Sequence, residues 1–542
     1  MTSFFRIASP LHSGPEPALQ EIEVSSSLQI PSFKVIGLPG PEVAESSERI
    51  RAAILASGLE FPKRRVILNL SPSSVRKQGT SSDLAMAIAV LRGGGSRPLL
   101  KPEGFGVAWG ELGLDGSIKS VGRPLRSLAA AWNAGAQWVV FPACDEEAVA
   151  RAREEFVHAA DESPKITQPE PLWIPASTLK EAWARLQTES LKGQTLKLHP
   201  QPHDSSAEQN LSSLENEPPG GHLLPLGAAL LRLLSIAAIG RHPLLLWGPK
   251  GTGKSHALQW LSALSPPGSR KLQLERRFLS ELTGAPGNLH RRIHPRVRPE
   301  ALLGSIHHGR PRPGELALAH GGLLLADEFA EWSRDAREAL REPLESGFIH
   351  LSRVDGQLRW PARFQLAATA NLCPCGNDSL LSPEVMEEAG KSECTCSVSQ
   401  RLQYRQRLSG PLMDRLDLVV HLHASPQRLP QISSQKSGKK SVEVQLAEAQ
   451  LKITAARSLI LAEWGVPSSE IRAADLDALT QAIEAPEISA RLTLRGRHRL
   501  TRVAITLAAL EAVETGKMGS RERQGPNQNH WKEASLLRRL PT

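Results

Sequence analysis

Apolar positions along this chain fall into short continuous runs set between helical patterns. That rhythm predicts strands buried on both faces, alternating with helices. In the N-terminal third the runs are Phe33–Ile36, Val66–Leu70, Leu84–Leu91 and Trp138–Phe141. They predict a mixed α/β domain over residues 1–185. Residues 186–222 break the pattern with His199-Pro-Gln-Pro-His203 and Pro218-Pro-Gly-Gly221, and read as a flexible linker. A second α/β segment spans 223–425. In it, a buried helix over Leu223–Gly240 feeds the strand Leu244–Trp247, and further strands end at Ala326 and Ala370. Residues 426–515 open on the polar, basic stretch Gln431–Lys440. Ala and Leu at helical spacing follow, which predicts a helical lid. Residues 516–542 are polar and are expected to fray.

Composition narrows the class. A chain of 542 residues exceeds one core and suggests roughly three domains. Hydrophobic content of 40% against 22% charged residues predicts folding rather than disorder. The formal charge of +9 suits a polyanionic partner, and equally a solvated basic surface. Four of the five cysteines lie in one segment, so a disulfide framework is not expected and a reducing, cytoplasmic setting fits. The N-terminus lacks a charged region followed by an apolar run, so no secretory signal is read. Pro225 and Arg232 interrupt the most apolar stretch, which argues against a membrane span.

The sharpest chemical signal is Gly248, Pro249, Lys250, Gly251, Thr252, Gly253, Lys254 and Ser255, which fits G-x-x-x-x-G-K-[ST] between a strand and a helix. Glycines let the backbone curl so that N–H groups face phosphate oxygens, and the following helix adds positive partial charge. Lys254 is expected to reach the β- and γ-phosphates of ATP, and Ser255 to ligate Mg2+. Further on, Gly322-Leu-Leu-Leu-Ala-Asp327-Glu328 is an apolar strand ending in two carboxylates. Asp327 can hold Mg2+ through its water shell, and Glu328 can activate the attacking water. The strand Phe364–Ala370 ends at Asn371, whose amide could position that water or simply occupy a strand-end turn. Arg415, in Ser409-Gly-Pro-Leu-Met-Asp-Arg-Leu-Asp417, could act in trans on a neighbour's γ-phosphate; taken alone it fits a surface ion pair.

Cys373-Pro-Cys375 and Cys394-Thr-Cys396 form two C-x-C pairs with 18 residues between them. Four thiolates can close a tetrahedral Zn2+ site, and free thiols or a redox pair are the alternatives. Arg291, Arg292, Arg296, Arg298, Arg310 and Arg312, with Lys436, Lys439 and Lys440, make basic clusters. In a ring they could line a pore and contact nucleic-acid phosphates; the other reading is an exposed charged loop. Aromatics are 4%, with a single tyrosine at 404, so backbone contact is favoured over base stacking.

The order of these motifs, with Pro311-Arg-Pro-Gly-Glu315 and Asn371-Leu-Cys-Pro-Cys-Gly376 among them, resembles the magnesium-chelatase-like AAA+ ATPases. Val35-Ile-Gly-Leu-Pro39, Ala44-Glu-Ser-Ser-Glu-Arg49, Phe61-Pro-Lys-Arg-Arg-Val66 and Leu68-Asn-Leu-Ser-Pro72 narrow the resemblance to the ComM (YifB) group. It implies a Lon-protease-like N-terminal α/β domain, a P-loop AAA+ α/β core with insertions, a C-terminal helical lid and a hexameric ring. It also implies a helicase promoting DNA branch migration in natural transformation. A protein-remodelling chelatase-like or chaperone-like ATPase is the alternative, and a nucleotide-dependent scaffold a third reading. On this resemblance Arg415 takes the arginine-finger position and Arg495 the sensor arginine of the lid, with Arg502 competing. Ser81 stands where Lon-type proteases carry their nucleophile, but Leu125 stands where the activating Lys should be, with Arg123 nearby. Arg does not deprotonate in proteins, so no proteolysis is expected.

Overall fold

The computed structural model describes residues 3–37, 41–72, 80–93, 104–160, 168–187, 223–284, 289–307, 310–353, 356–378, 394–422, 441–481, 493–517 and 525–538. Linker residues 188–222 and the basic residues Lys436, Lys439 and Lys440 lie outside these segments.

The N-terminal body is built on a seven-stranded mixed sheet. Its strand order is Ser32–Ile36, Arg65–Ser71, Ala18–Ser27, Ser3–Leu11, Gly106–Ala108, Trp138–Pro142 and Leu172–Ala176. Ser3–Leu11 pairs antiparallel with Ala18–Ser27, which sets Ile7 opposite Ile22. Ala18–Ser27 pairs antiparallel with Arg65–Ser71, which sets Ile22 opposite Leu70 and Val24 opposite Leu68. All five side chains are buried on one face. Against that face lies the helix Asp83–Gly93. The run Leu84–Leu91 is therefore one of the helices of this mixed α/β domain. Alternate alanines at 85, 87 and 89 favour it, and burial between the sheet and helix Pro41–Ala56 removes any polar face. Ser81 is buried just before this helix and its carbonyl accepts from Gly110 N–H.

The second body holds a five-stranded, all-parallel sheet in the order His290–Ile293, Leu323–Ala326, Gln365–Ala370, Leu244–Trp247, Leu418–His421. Side chains alternate between its faces with period two. Leu244, Leu246, Leu323, Leu325, Ala367, Leu418 and Val420 share a core with helices Ala228–Gly240, Lys254–Leu264, Val442–Trp464 and Leu494–Glu514. Leu245, Trp247, Leu324, Ala326, Leu366, Ala368 and Val419 share the opposite core with Leu279, Trp332, Trp360 and Tyr404. A sheet covered on both faces explains why Leu244–Trp247 and Leu323–Ala326 read as unbroken apolar runs, whereas the edge strand His290–Ile293 carries two arginines. The fold is thus mixed α/β with a parallel-sheet core.

The polar C-terminal segment differs from expectation. Its residues 525–538 include a helix, Gln528–Leu536, opened by Asn527 and His530 in a capping box. Trp531 and Ala534 are buried against helix Leu494–Glu514, and Leu537 O accepts from Val419 N–H at 2.9 Å. One tryptophan in a polar segment supplies the anchoring area that composition concealed.

The two bodies meet through helix Arg270–Thr283. Phe278 enters the core of the N-terminal body, while Leu279 enters that of the second. Arg126 is 1% exposed and donates to the carbonyls of Gly14, Pro15, Glu16 and Phe278 at 2.9–3.1 Å. Glu281 accepts from the N–H groups of Leu125 and Arg126 at the start of helix Pro124–Asn133, and Arg123 donates to its carbonyl. Among the described residues no helix is long and apolar enough to cross a membrane.

Candidate nucleotide site

The glycine-rich loop leaves the C-terminal end of strand Leu244–Trp247, which lies between two parallel neighbours. Ligand crevices form at such an edge because crossovers carry the chain away on both sides. Gly248 N–H donates to Ala370 O at 3.1 Å, which ties the loop to the next strand. Gly253 opens helix Lys254–Leu264 at φ 81, a left-handed conformation that a side chain would disfavour. Lys254 is buried and folds back onto the loop: its Nζ donates to Gly248 O at 2.9 Å and Pro249 O at 2.7 Å. Thr252 Oγ1 donates to Pro249 O at 2.9 Å.

Ser255 and Asp327 meet. Ser255 Oγ donates to Asp327 Oδ1 at 3.1 Å across the gap between the helix start and the end of strand Leu323–Ala326. Thr369 Oγ1 also donates to Asp327 Oδ1, and Arg292 donates to Oδ2 at 2.9 Å. Burial alone would raise the Asp327 pKa. The hydrogen bonds from Thr369, Ser255 and Arg292 outweigh it and hold the carboxyl below its ordinary value. A carboxylate held ionised beside a hydroxyl is a suitable donor pair for a hard divalent cation. Glu328 is exposed and left-handed at φ 49; its N–H donates to Asp327 Oδ1 and Thr369 Oγ1, which fixes the turn. Asn371 is half-buried one residue past strand Gln365–Ala370.

Arg415 and Arg495 come together on Glu345. Arg415 donates to a Glu345 carboxylate oxygen and to the carbonyls of Arg341 and Pro411, while Arg495 reaches Glu345 Oε1 at 2.6 Å. None of these partners belongs to the phosphate loop. Arg502 donates to Ile471 O inside the C-terminal helices.

Thr369 and Arg292 are the neighbours of Asp327 that motif reading missed. Thr369 sits in a largely apolar strand, and Arg292 in a basic run that also fits nucleic-acid contact. Arg291 likewise is paired, with Glu315 at 2.7 Å. Arg296, Arg298 and Arg312 remain exposed; Arg296 borders a cavity of about 440 Å³ beside strand His290–Ile293. Cys373, Cys375, Cys394 and Cys396 converge, with their sulfurs within 4.8 Å of one another.

A parallel α/β core carrying this loop and carboxylate is consistent with a magnesium-chelatase-like AAA+ fold, and the comparisons with known proteins identify that class. The family model described as "Magnesium chelatase, subunit ChlI" matches residues 228–429, and "Subunit ChlI of Mg-chelatase" matches 22–145. The chain is 31% identical to the protein YifB of Escherichia coli (strain K12) over 506 residues, 90% of each chain. It is 29% identical to "Competence protein ComM" of Haemophilus influenzae over 522 residues, 92% of each chain, and 32% identical to YifB of Salmonella typhimurium over 424 residues, 77% of this chain and 75% of that one. The chain belongs to the magnesium-chelatase-like ComM/YifB family. Membership implies use of ATP and Mg2+ and suggests ATPase activity, and AAA+ proteins commonly oligomerise.

Proposed function

We propose that this chain is an ATP-hydrolysing motor that moves DNA, acting at branched or single-stranded DNA as a homo-hexamer. The observation carrying the nucleotide half is the direct hydrogen bond between Ser255 and Asp327, a hydroxyl and an ionised carboxylate at the mouth of a glycine loop that also holds Lys254. Main-chain N–H groups of the loop would cradle the β- and γ-phosphates. Lys254 would leave its carbonyl partners for phosphate oxygens. Bound Mg2+ would draw charge from the β- and γ-phosphate oxygens. Glu328 would take the proton of a water attacking γ-phosphorus in line as the bond to the leaving ADP oxygen breaks, with Asn371 orienting that water.

In this reading Arg415 serves a neighbouring subunit. Its partner Glu345 lies in the same chain, so assembly would have to draw the guanidinium from one anion to another. Arg495 shares that carboxylate and would move with it. The exposed Arg296, Arg298 and Arg312 would supply backbone-contacting charge for DNA, and similarity to a relative named "Competence protein ComM" supports a role in recombination or transformation. Residues 1–185 would be a Lon-like domain without protease function and 426–515 the lid.

The test is nucleotide binding and turnover with and without forked DNA. The expected result is Mg2+-dependent ATP binding that is lost in Lys254→Ala, and turnover that rises with DNA. Equal binding by Lys254→Ala overturns the nucleotide site. Turnover indifferent to DNA overturns the DNA motor in favour of a protein-remodelling ATPase.

A further inference from the structure

The four clustered thiols border the phosphate loop. Cys373 and Cys375 follow strand Gln365–Ala370, and Cys394 and Cys396 precede helix Val398–Gln406. Sulfur separations are 3.2 Å for Cys373–Cys375 and 3.6 Å for both Cys375–Cys394 and Cys394–Cys373. A disulfide needs about 2.05 Å. Four thiolates about 2.3 Å from one tetrahedral centre lie about 3.8 Å apart, so the two 3.6 Å separations fall near that spacing, the 3.2 Å pair is tighter, and Cys396 Sγ lies within 4.8 Å of the other three.

The surroundings are built to hold thiolates. The N–H groups of Asp378 and Asn377 point at Cys373 Sγ and Cys375 Sγ at 3.3 and 3.5 Å. Such outer donors orient sulfur ligands. Asp378 itself is 3% exposed, and Arg401 and Arg405 grip its carboxylate from helix Val398–Gln406. That clamp joins the two C-x-C segments, which 18 residues separate in sequence.

One contact leads out of the cluster. Gly376 O, between Cys375 and Asn377, accepts from Lys250 N–H of the phosphate loop at 2.7 Å. Gly376 has φ 80, and a Cβ there would meet the Lys250 side chain at 2.5–2.6 Å. Glycine alone fits here without backbone strain or displacement of the Lys250 side chain.

We propose that Cys373, Cys375, Cys394 and Cys396 bind one Zn2+ as a closed structural site, and that this site holds the phosphate loop in shape through Gly376 and Lys250. Binding replaces the four thiol protons, which leave to solvent. All four positions are sulfur, so no coordination place is left for water, and the metal's role is to fix the turn. The metal site stands on its own geometry; its effect on the loop rests on the nucleotide reading above.

The experiment uses the full chain purified under reducing conditions without chelator. Metal content is measured by elemental analysis, and Co2+ exchange is followed by its thiolate visible bands. Nucleotide affinity is measured with a fluorescent ATP analogue for wild type, Cys394→Ser/Cys396→Ser and Gly376→Ala. Wild type is expected to carry one zinc per chain, and the cysteine variant little or none. Gly376→Ala is expected to keep its zinc yet bind nucleotide roughly five- to tenfold more weakly, the worth of one backbone hydrogen bond. This variant carries the test of the loop if the cysteine variant fails to fold. No zinc in folded wild type, iron in its place, or absent cobalt–thiolate bands overturns the metal site. Zinc-bearing Gly376→Ala with unchanged nucleotide affinity overturns the coupling. Wild type that holds zinc but binds no nucleotide overturns the nucleotide reading and the coupling together, and upholds the metal site.

Discussion

Asp417 is fully buried and links the parallel sheet to the C-terminal helices. It accepts from His242 Nδ1 at 2.7 Å and from Arg499 at 2.6 Å, and His242 continues to Thr506 Oγ1 at 2.8 Å and so to Ser468. The Arg499 side chain is 13% exposed, so Asp417→Ala would leave a guanidinium with little water and no counter-charge on its near side. Removing one partner of a buried pair costs about 3–5 kcal/mol. At about 1.4 kcal/mol per decade, helix Leu494–Glu514 should open about a hundred- to five-thousand-fold more often. Hydrogen exchange read by mass spectrometry on peptides from that helix and from strand Leu418–His421 measures this directly. Asp417→Ala/Arg499→Met removes both charges and should recover much of the loss. Exchange within about threefold of wild type in the single variant, or a double variant no better than the single, would refute the reasoning.

The same carboxylate sets a pH limit. Burial opposes its charge, but the Arg499 charge and the His242 hydrogen bond outweigh burial and hold its pKa well below the ordinary value. Its contribution is therefore complete above the ordinary Asp pKa of about 3.9 and is lost as pH falls below it. The helix peptides should keep their protection from neutral pH down to about 4 and lose it in stronger acid.

Other outcomes follow from single contacts. Glu328→Gln should bind ATP as wild type does but turn it over about 10²–10⁴-fold more slowly, and unchanged turnover removes Glu328 from its role. Thr369→Val takes away one donor to Asp327, so the carboxyl should rise toward its ordinary pKa and Mg2+-dependent nucleotide affinity should fall about tenfold; affinity unaltered by magnesium titration would count against Asp327 as the cation's ligand. Arg126→Met leaves four carbonyls without their donor where the two bodies meet and should cost about 3–5 kcal/mol in urea unfolding, whereas a loss below about 1 kcal/mol would make that contact incidental.

What the sequence displayed of this site depended on how locally each part is encoded. The phosphate loop occupies eight consecutive residues between a strand and a helix, so glycine spacing, Lys254 and Ser255 could be read together. Asp327 announced itself as the first charge after Leu323–Ala326, because a strand covered on both faces tolerates no earlier one. Its companions were not readable that way. Thr369 and Arg292 reach Asp327 from other strands, and a threonine in an apolar run or an arginine in a basic one gives no local sign of its partner. Leu84–Leu91 shows the same limit at the level of the fold. An apolar octet fits a strand or a helix by length, and it became a helix because its alanines favour one and the sheet left a layer to fill. In Ser409–Asp417 the motif points to Arg415, whereas packing makes Asp417 the buried charged residue. The distinction arises because Asp417 immediately precedes strand Leu418–His421 and is drawn beneath helix Leu494–Glu514 with it. Local sequence therefore specified the groups that would touch phosphate, while the partners that set their charge and hold their loops came from strands and helices brought together by the two cores.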